Sequence, residues 1–274
     1  MSLLVDKYRP KKIEDIQGNK LQIKRCLKWI ENFNNKVENT KPALLISGPP
    51  GIGKTTLVSL LLDKYKYDII EYNASDVRNQ KLVKENLKSI MGKISISSIM
   101  GGNTKLGIIM DEVDGMSTGD KGGLSELISF INPNKGKKKK DKKKLAYQNP
   151  IICISNTEKD KKIQDLKKEA ECLKFLSPKL TELTDFAKRI IKLENIKVNE
   201  KNLLDIVLYS QKDIRKLLGN IQYLMIGSKK KLKKFNLFKS EGYTEETLLV
   251  NKIKEHGGLD KKIEDISLFQ SVFN

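Results

Sequence analysis

Residues 48–55, GPPGIGKT, have the spacing of a phosphate-binding loop between an apolar run and a helical pattern. Glycines let such a loop curl, so that successive backbone N–H groups converge on phosphate oxygens at the start of the helix. We predict that Lys54 reaches the β and γ phosphates of a nucleotide and that the Thr55 hydroxyl ligates Mg²⁺. The complete predicted loop is Gly48, Pro49, Pro50, Gly51, Ile52, Gly53, Lys54 and Thr55.

A carboxylate pair, Asp111-Glu112, ends the apolar run LGIIM. At the carboxyl end of a neighbouring parallel strand, it falls in the crevice where such sheets bind ligands. We predict that Asp111 helps to hold Mg²⁺ and that Glu112 orients or deprotonates the attacking water. The alternative, a solvated acidic turn, is disfavoured by the four apolar residues before DEVDG. The two motifs together predict hydrolysis of a nucleoside triphosphate.

Two more polar residues fit the same site. Asn156 ends the predicted strand PIICIS, beside the Asp111 strand, and can hydrogen-bond the γ-phosphate or the attacking water. Arg215 lies beside the apolar stripe of a predicted helix that starts near Lys212, so its guanidinium can point back to the sheet. Each residue taken singly is also consistent with an ordinary polar position. Together they describe a γ-phosphate detector divided between two domains.

Four apolar runs alternate with helical patterns up to residue 155, which predicts an α/β fold with a parallel sheet covered on both faces. The runs are ALLIS (43–47), DIIEY (68–72), LGIIMD (106–111) and PIICIS (150–155). After Asn156 we predict that strands stop and amphipathic helices follow. Ser210 and Asp213 have the spacing of a capping box for the last helix.

This pattern predicts three regions. Residues 1–156 form the nucleotide-binding domain, residues 157–227 a small all-helical lid domain, and residues 228–274 a basic tail. The segment KGKKKKDKKK (135–144) has too little apolar surface to order itself and is predicted to be a mobile loop. Because the tail ends on an incipient helical pattern, we expect a further domain to be missing or to lie on another chain.

The charge balance indicates a polyanionic partner. The chain has 53 basic and 34 acidic residues among 274, a net charge of +19. Such an excess attracts nucleic acid, although lysine-rich codon bias produces the same composition. No apolar run is long enough to cross a membrane, and the opening MSLLVDKYRPKKIED lacks the apolar core of a signal peptide. We expect an intracellular, reducing location, with Cys26, Cys153 and Cys172 as buried or spectator thiols.

The motifs together resemble those of AAA+ ATPases, and within them the clamp-loader branch, replication factor C. DKYRPKKIEDIQGNK is similar to the N-terminal box that folds over adenine in that family, with Tyr8 and Arg9 among its most recognisable residues. Two further motifs resemble those of the family's large subunit, namely NASDVR (73–78) and DEVDGMSTGDKGG (111–123). Asn156 matches the residue called sensor 1, and Asp213-Ile214-Arg215 matches sensor 2.

The resemblance implies ATP and Mg²⁺ as ligands and a hetero-oligomer with small subunits, expected to be a pentamer. It also implies a sliding clamp and primer-template DNA as partners, and a location in the nucleus or at another site of DNA replication. The small subunits carry a Ser-Arg-Cys motif whose arginine reaches a neighbour's ATP site. The nearest equivalent here is Ala170-Glu171-Cys172. The chain is therefore expected to receive an arginine finger and not to donate one. The tail at 228–274 is expected to be the start of a truncated collar.

One basic helix is a candidate DNA contact. Lys81, Lys84 and Lys88 share one side of the predicted helix after Ser75-Asp76, with Arg78 near its edge. In clamp loaders the helix at this position lines the surface that follows the duplex, while a simple solvated helix face remains the alternative.

The leading expectation is an ATP-dependent clamp-loader subunit that loads a sliding clamp onto primed DNA. Two alternatives stay open. One is another AAA+ replication ATPase, such as an alternative clamp loader or an initiator. The other is a scaffold that holds ATP without hydrolysing it.

Overall fold

Five consecutive buried residues, ALLIS, form an interior strand of the sheet, because a strand covered on both faces needs apolar side chains at every position. The computed structural model describes residues 3–73, 105–117, 123–132, 149–157 and 161–229. Within these ranges five parallel strands form one sheet in the order β2-β3-β4-β1-β5. The strands are β1 (Ala43–Ser47), β2 (Tyr67–Asn73), β3 (Lys105–Asp111), β4 (Ile151–Ser155) and β5 (Ala170–Lys174).

Helices cover the two faces of the sheet, and the alternation of side chains along β1 separates two cores. Leu44 and Ile46 pack into a core with helices α2 and α3. Ala43 and Leu45 pack into the opposite core with helices α4 and α5. The bounds of these helices are Lys20–Asn34 for α2, Lys54–Lys64 for α3, Gly123–Ile131 for α4 and Lys161–Glu169 for α5.

The four predicted strands are confirmed, but the prediction that strands stop after Asn156 is wrong. Residues 170–174 form β5, which pairs with β1 along its full length. This strand has the burial pattern of a sheet edge, since Ala170 and Leu173 are buried and Lys174 is exposed. The sheet therefore includes residues on both sides of position 156, and a division into domains at that position stays a proposal.

Three amphipathic helices follow β5, as the hydrophobic periodicity predicts. They are α6 (Leu180–Leu193), α7 (Glu200–Tyr209) and α8 (Ile214–Lys229), and each packs against the other two. Asn199 caps α7 by accepting a hydrogen bond from the Asn202 N–H at 2.8 Å. The apolar stripe of α6 is buried at Leu180, Leu183, Phe186, Ala187 and Ile190.

The N-terminal segment connects the helices with the sheet. Its first turn, α1 (Leu4–Lys7), packs against α8, whereas Ile13 and Ile16 pack into the core that contains α2 and α3. Cys26 and Cys153 are buried free thiols, and Cys172 is half-buried. In the part of the chain that the structure describes, no helix is long and apolar enough to cross a membrane. The predicted 135–144 loop, and the tail from residue 230 onward, lie outside the described residues.

Candidate nucleotide-binding and catalytic site

The predicted phosphate loop connects β1 to the start of α3. Gly51 and Gly53 have φ values of +69° and +90°, in the left-handed region that glycine adopts without strain. Ile52, between them, is 1% exposed and anchors the loop in the core. A Cβ on Gly48 would lie 2.4 Å from the Phe175 carbonyl oxygen, so the loop also passes too close to the chain beyond β5 for a larger residue. The loop is thus fixed by its glycines at both ends.

Lys54 is the charged centre of the loop. Its ammonium donates hydrogen bonds to the carbonyl oxygens of Gly48 at 2.7 Å and Pro49 at 2.8 Å, and to Asn156 Oδ1 at 2.8 Å. The residue is only 6% exposed. Burial lowers the pKa of Lys54 to about 8, against the opposing attraction of the Asp111 carboxylate. The ammonium therefore carries most of its charge at pH values below about 8, where it attracts phosphate most strongly, and loses that charge as the pH rises through about 8.

Thr55 and Asp111, the two predicted metal ligands, are in direct contact. Thr55 Oγ1 donates a hydrogen bond to Asp111 Oδ2 at 2.6 Å across the gap between the first turn of α3 and the end of β3. The other carboxylate oxygen of Asp111 accepts the backbone N–H of Glu112 at 2.8 Å. Hydroxyl and carboxylate oxygens are the hard donors that Mg²⁺ prefers, with water and phosphate completing its coordination. This pair of side chains fits a magnesium ion beside the phosphate loop.

Glu112 begins a turn at the carboxyl end of the sheet. Its φ of +54° is unusual for a residue with a side chain, and its carbonyl accepts the Gly115 N–H at 2.8 Å at the start of a 3-10 helix (Val113–Ser117). Val113 is fully buried next to it and holds the turn in the core. The half-buried Glu112 side chain lines the same cavity as the phosphate loop. Strained backbone of this kind is often found at functional sites.

Asn156 follows β4, and β4 lies next to β3 in the sheet as predicted. Its side chain accepts the Lys54 hydrogen bond, while its backbone N–H donates to Asp114 Oδ1 at 3.1 Å. Asp114 was not predicted as a site residue, although it is the third carboxylate of the DEVDG pattern. It fixes the Asn156 backbone, whereas Lys54 contacts the Asn156 side chain. The structure thus joins the turn after β3, the end of β4 and the phosphate loop.

Arg215 lies in the first turn of α8 and lines the cavity, as its position on the helix predicts. The start of this helix is held against the phosphate loop, because the Ile214 N–H donates to the Gly51 carbonyl at 3.0 Å. The Asp213 carboxylate packs on Gly51, where an added Cβ would lie 1.9 Å from Asp213 Oδ1. Helix α8 therefore contacts the phosphate loop directly.

The predicted capping box that pairs Ser210 with Asp213 is wrong. Ser210 ends α7, and its hydroxyl donates to the Val207 carbonyl at 2.6 Å. Asp213 itself caps α8, since its Oδ1 accepts the N–H groups of Arg215 at 2.7 Å and Lys216 at 3.0 Å. The carboxylate that touches Gly51 is therefore also the cap that orients the turn carrying Arg215.

One cavity of 990 Å³ is lined by residues 50–55 of the phosphate loop, by Asp111, Glu112 and Asn156, and by Asp213 and Arg215 at the start of α8. Gly48 and Pro49 of the predicted loop, and Asp114, are not among the residues that line it. Tyr8 and Arg9, predicted from the N-terminal box, also line it. Helices α6 and α8 contribute further lining residues that were not predicted, because their positions in the sequence indicate only core packing or an exposed helix face: Phe186, Arg189, Leu193 and Leu218.

Glu171, at the position where the arginine motif is absent, lies on β5 and accepts a hydrogen bond from Arg25 Nη2 at 2.8 Å. The predicted DNA-contacting residues lie outside the described part of the chain, so they stay a prediction: Arg78, Lys81, Lys84 and Lys88.

Residues 44–173, which span β1 to β5, match the model of the ATPase family associated with various cellular activities, or AAA. The chain contains an AAA ATPase domain. This match covers the phosphate loop, the Asp111-Glu112 pair and Asn156, and it confirms the predicted class of fold and of enzyme. The helices from α6 onward and the N-terminal box lie outside the matched residues.

Curated relatives of the chain carry the name replication factor C. The large subunit from Methanococcus aeolicus is 35% identical over 226 residues, which are 82% of this chain and 43% of that protein. Subunit 1 from Schizosaccharomyces pombe is 32% identical over 78% of this chain and 23% of that protein. Human subunit 1 is 31% identical over 83% of this chain and 21% of that protein. The chain thus spans less than half the length of these relatives.

Solved structures share the fold at lower identity. The Holliday junction branch migration motor RuvB from Thermotoga maritima has a TM-score of 0.59 and 16% identity, covering 93% of this AAA chain and 76% of that one. At this identity the likeness concerns the fold. It supports the architecture of a parallel sheet with helices on both faces.

Proposed function

We propose that this chain is a large-subunit-like component of a clamp loader, which binds and hydrolyses ATP to load a sliding clamp onto primer-template DNA. The observation that carries the proposal is the convergence of the phosphate loop, Asp111, Glu112, Asn156 and Arg215 on one cavity. Relatives at 30 to 35% identity are named as replication factor C subunits, which supports a clamp-loading function among the functions of AAA proteins.

Each group in the cavity has a distinct chemical task in this proposal. Lys54 binds the terminal phosphates, because its ammonium already lies beside the loop carbonyls and Asn156. Thr55 and Asp111 hold Mg²⁺, which when bound neutralises phosphate charge. Glu112 orients or deprotonates the attacking water. The placement of a buried lysine next to carboxylates gives the site both signs of charge that phosphoryl transfer needs.

Asn156 and Arg215 couple the γ-phosphate to the position of the helices. Asn156 is held between Lys54 and Asp114 on the sheet, whereas Arg215 belongs to α8. A triphosphate that contacts both residues ties α8 to the sheet, and loss of the γ-phosphate removes that tie. In the proposed clamp loader, this change switches the assembly between gripping the clamp and the DNA and releasing them. An arginine of a neighbouring subunit completes the site.

Reconstitution with replication factor C small subunits tests the proposal. With MgATP, the assembly is expected to place a fluorescent sliding clamp on a primed, end-blocked DNA, and clamp retention at high salt measures the product. The same assembly without this chain, or with ADP, is the control. Formation of a stable assembly that hydrolyses ATP but never loads the clamp would contradict the clamp-loader assignment and favour another replication ATPase of this fold.

The lysine-bearing helix supplies a separate prediction about DNA. Replacing Lys81, Lys84 and Lys88 together with alanine is expected to weaken binding to all DNA sequences, because phosphate contacts carry no sequence information. Removal of three phosphate contacts is expected to reduce the slope of log K against log salt by about 2.7. Titration of labelled primed DNA at several salt concentrations measures both quantities.

A matched control comes from three lysines on a different helix, Lys161, Lys167 and Lys168 of α5, changed to alanine in the same way. Equal losses of affinity in the two triple variants would indicate a general effect of net charge. An unchanged affinity and slope for the first variant would exclude a phosphate-contacting role for this helix.

A further inference from the structure

One carboxylate at the end of α6 holds the N-terminal box. Glu194 Oε1 accepts a hydrogen bond from the Tyr8 hydroxyl at 2.5 Å and another from the Lys7 ammonium at 2.6 Å. Glu194 directly follows Leu193, the last residue of α6. A single oxygen atom of Glu194 therefore contacts two residues that are distant in the sequence, Tyr8 by 186 positions and Lys7 by 187.

The environment of this contact keeps it intact over a wide pH range. The Glu194 side chain is 10% exposed, compared with 49% for Lys7. Burial and the hydrogen bond to Glu194 raise the pKa of Tyr8 to about 12, so its hydroxyl stays a donor. The hydrogen bonds from Lys7 and Tyr8 lower the pKa of Glu194, so its carboxylate stays charged. The contact is a charge-assisted one, of the stronger class of hydrogen bond.

Tyr8 and Leu193 line the cavity beside other ring-bearing and apolar side chains. The phosphate loop, Lys54 and carboxylates supply the polar part of the lining, whereas Phe186, Leu193 and Leu218 contribute an apolar part. Leu193 is 61% exposed, which is unusual for a leucine at the end of an apolar stripe, and it faces the cavity. An apolar wall with an aromatic ring suits the planar base of a nucleotide.

Glu194 is thus joined on one side to a residue that lines the cavity and bonded on the other to Tyr8, which lines it too. We propose that Glu194 is a positioning residue for nucleotide recognition, whose carboxylate holds Tyr8 at the base end of the cavity. The inference rests on the proposed function, because it assigns the base of the bound nucleotide to this end. Glu194 acts through Tyr8, and the phosphates are bound independently of it.

The test compares two probes on the purified chain, MgATP and magnesium tripolyphosphate, which has the phosphates but no base. Glu194→Ala is expected to raise the Kd for MgATP roughly ten-fold, since the hydrogen bond to a charged group is lost. It is expected to leave the Kd for tripolyphosphate within about two-fold. Tyr8→Phe, which keeps the ring and removes the hydroxyl, is expected to show the same selective loss. Competition against a fluorescent ATP analogue measures each Kd.

A double variant and two comparisons identify the route of the effect. Both changes remove the same hydrogen bond between Tyr8 and Glu194. The double variant Tyr8→Phe with Glu194→Ala is therefore expected to bind MgATP no more weakly than the single variants do. Glu194→Gln keeps an acceptor for Tyr8 and is expected to recover most of the affinity. Asp185→Ala removes an exposed carboxylate of the same helix that is not itself among the residues lining the cavity, and serves as the matched control.

The outcomes separate this inference from the function on which it rests. If the wild type binds MgATP but Glu194→Ala and Tyr8→Phe bind it equally well, the positioning role is overturned and the nucleotide site stands. Equal weakening of both probes would also overturn it, because the carboxylate would then support the whole fold. A wild type that binds neither probe would overturn the proposed function, and this inference with it.

Discussion

Replacing Glu112 with glutamine is expected to lower the single-turnover rate of ATP hydrolysis by about 10²- to 10⁴-fold, the usual contribution of general acid–base catalysis. The substitution keeps the size of the side chain, which lines the cavity, but removes the carboxylate that we propose activates water. The Kd for MgATP is expected to stay within about two-fold, because Lys54 and the loop, which we propose bind the phosphates, are unchanged. Rapid-quench measurement with radiolabelled ATP follows the hydrolysis step.

The control for Glu112→Gln is the same change at Glu38, an exposed residue away from the residues that line the cavity. Both variants are measured in the chain alone and in an assembly with small subunits, because the resemblance implies that a neighbour supplies an arginine to the site. Equal rates with and without Glu112 in the assembly would remove its catalytic assignment. A slow rate in the wild type as well would favour the scaffold that holds ATP without hydrolysing it.

The strands that sequence patterns predicted are those whose environment is uniform. β1 and β4 are buried at every position, so their apolar runs are continuous and easy to detect. β5 has a neighbour on one side only, β1, and its sequence AECLK includes a glutamate and a lysine that face partly exposed surroundings. Its short, mixed pattern has no clear period. The edge strand was therefore missed, and the end of the sheet was placed too early.

The site was predictable where its residues are close in sequence or follow recognisable strands. The phosphate loop spans eight residues, 48–55, and its chemistry depends on their order alone. The contact of Asp114 with Asn156, by comparison, joins residues 42 positions apart, and that of Lys7 with Glu194 joins residues 187 apart. No local pattern encodes such pairs, since their approach depends on how the strands and helices pack.

The start of α8 shows how a local pattern can mislead. Serine and aspartate three residues apart fit a capping box, but Gln211 and Lys212 have φ values of +52° and +62°, so the chain turns between them and α7 ends first. Only the Asp213 carboxylate is then placed to accept N–H groups of α8. Composition gives little warning of two successive left-handed residues without glycine.

Replacing Gly51 with alanine is expected to reduce the free energy of unfolding by about 2 to 4 kcal/mol and to weaken MgATP binding. Two causes add. The φ of +69° is strained for alanine, and the new Cβ would lie 1.9 Å from Asp213 Oδ1. The carboxylate cannot shift freely, because it caps α8 through the Arg215 and Lys216 N–H groups. Urea denaturation and the Kd for MgATP measure the two effects.

Gly219 provides the matched control for Gly51→Ala, because the same substitution has the opposite expected sign there. It lies inside α8, exposed, and an added Cβ would meet nothing within 4 Å. Gly219→Ala is expected to raise the free energy of unfolding by about 0.5 to 1 kcal/mol, since alanine favours helix. Nucleotide affinity is expected to stay unchanged.

A double variant separates the steric cause from the backbone one. Asp213→Ala alone removes the cap and is expected to cost about 1 kcal/mol. In Gly51→Ala with Asp213→Ala the clash is absent, so the combined loss of stability is expected to be smaller than the sum of the single losses. Additive losses of stability would show that Asp213 can move away from Gly51 without strain. The contact between α8 and the phosphate loop would then depend on the hydrogen bond from the Ile214 N–H to the Gly51 carbonyl.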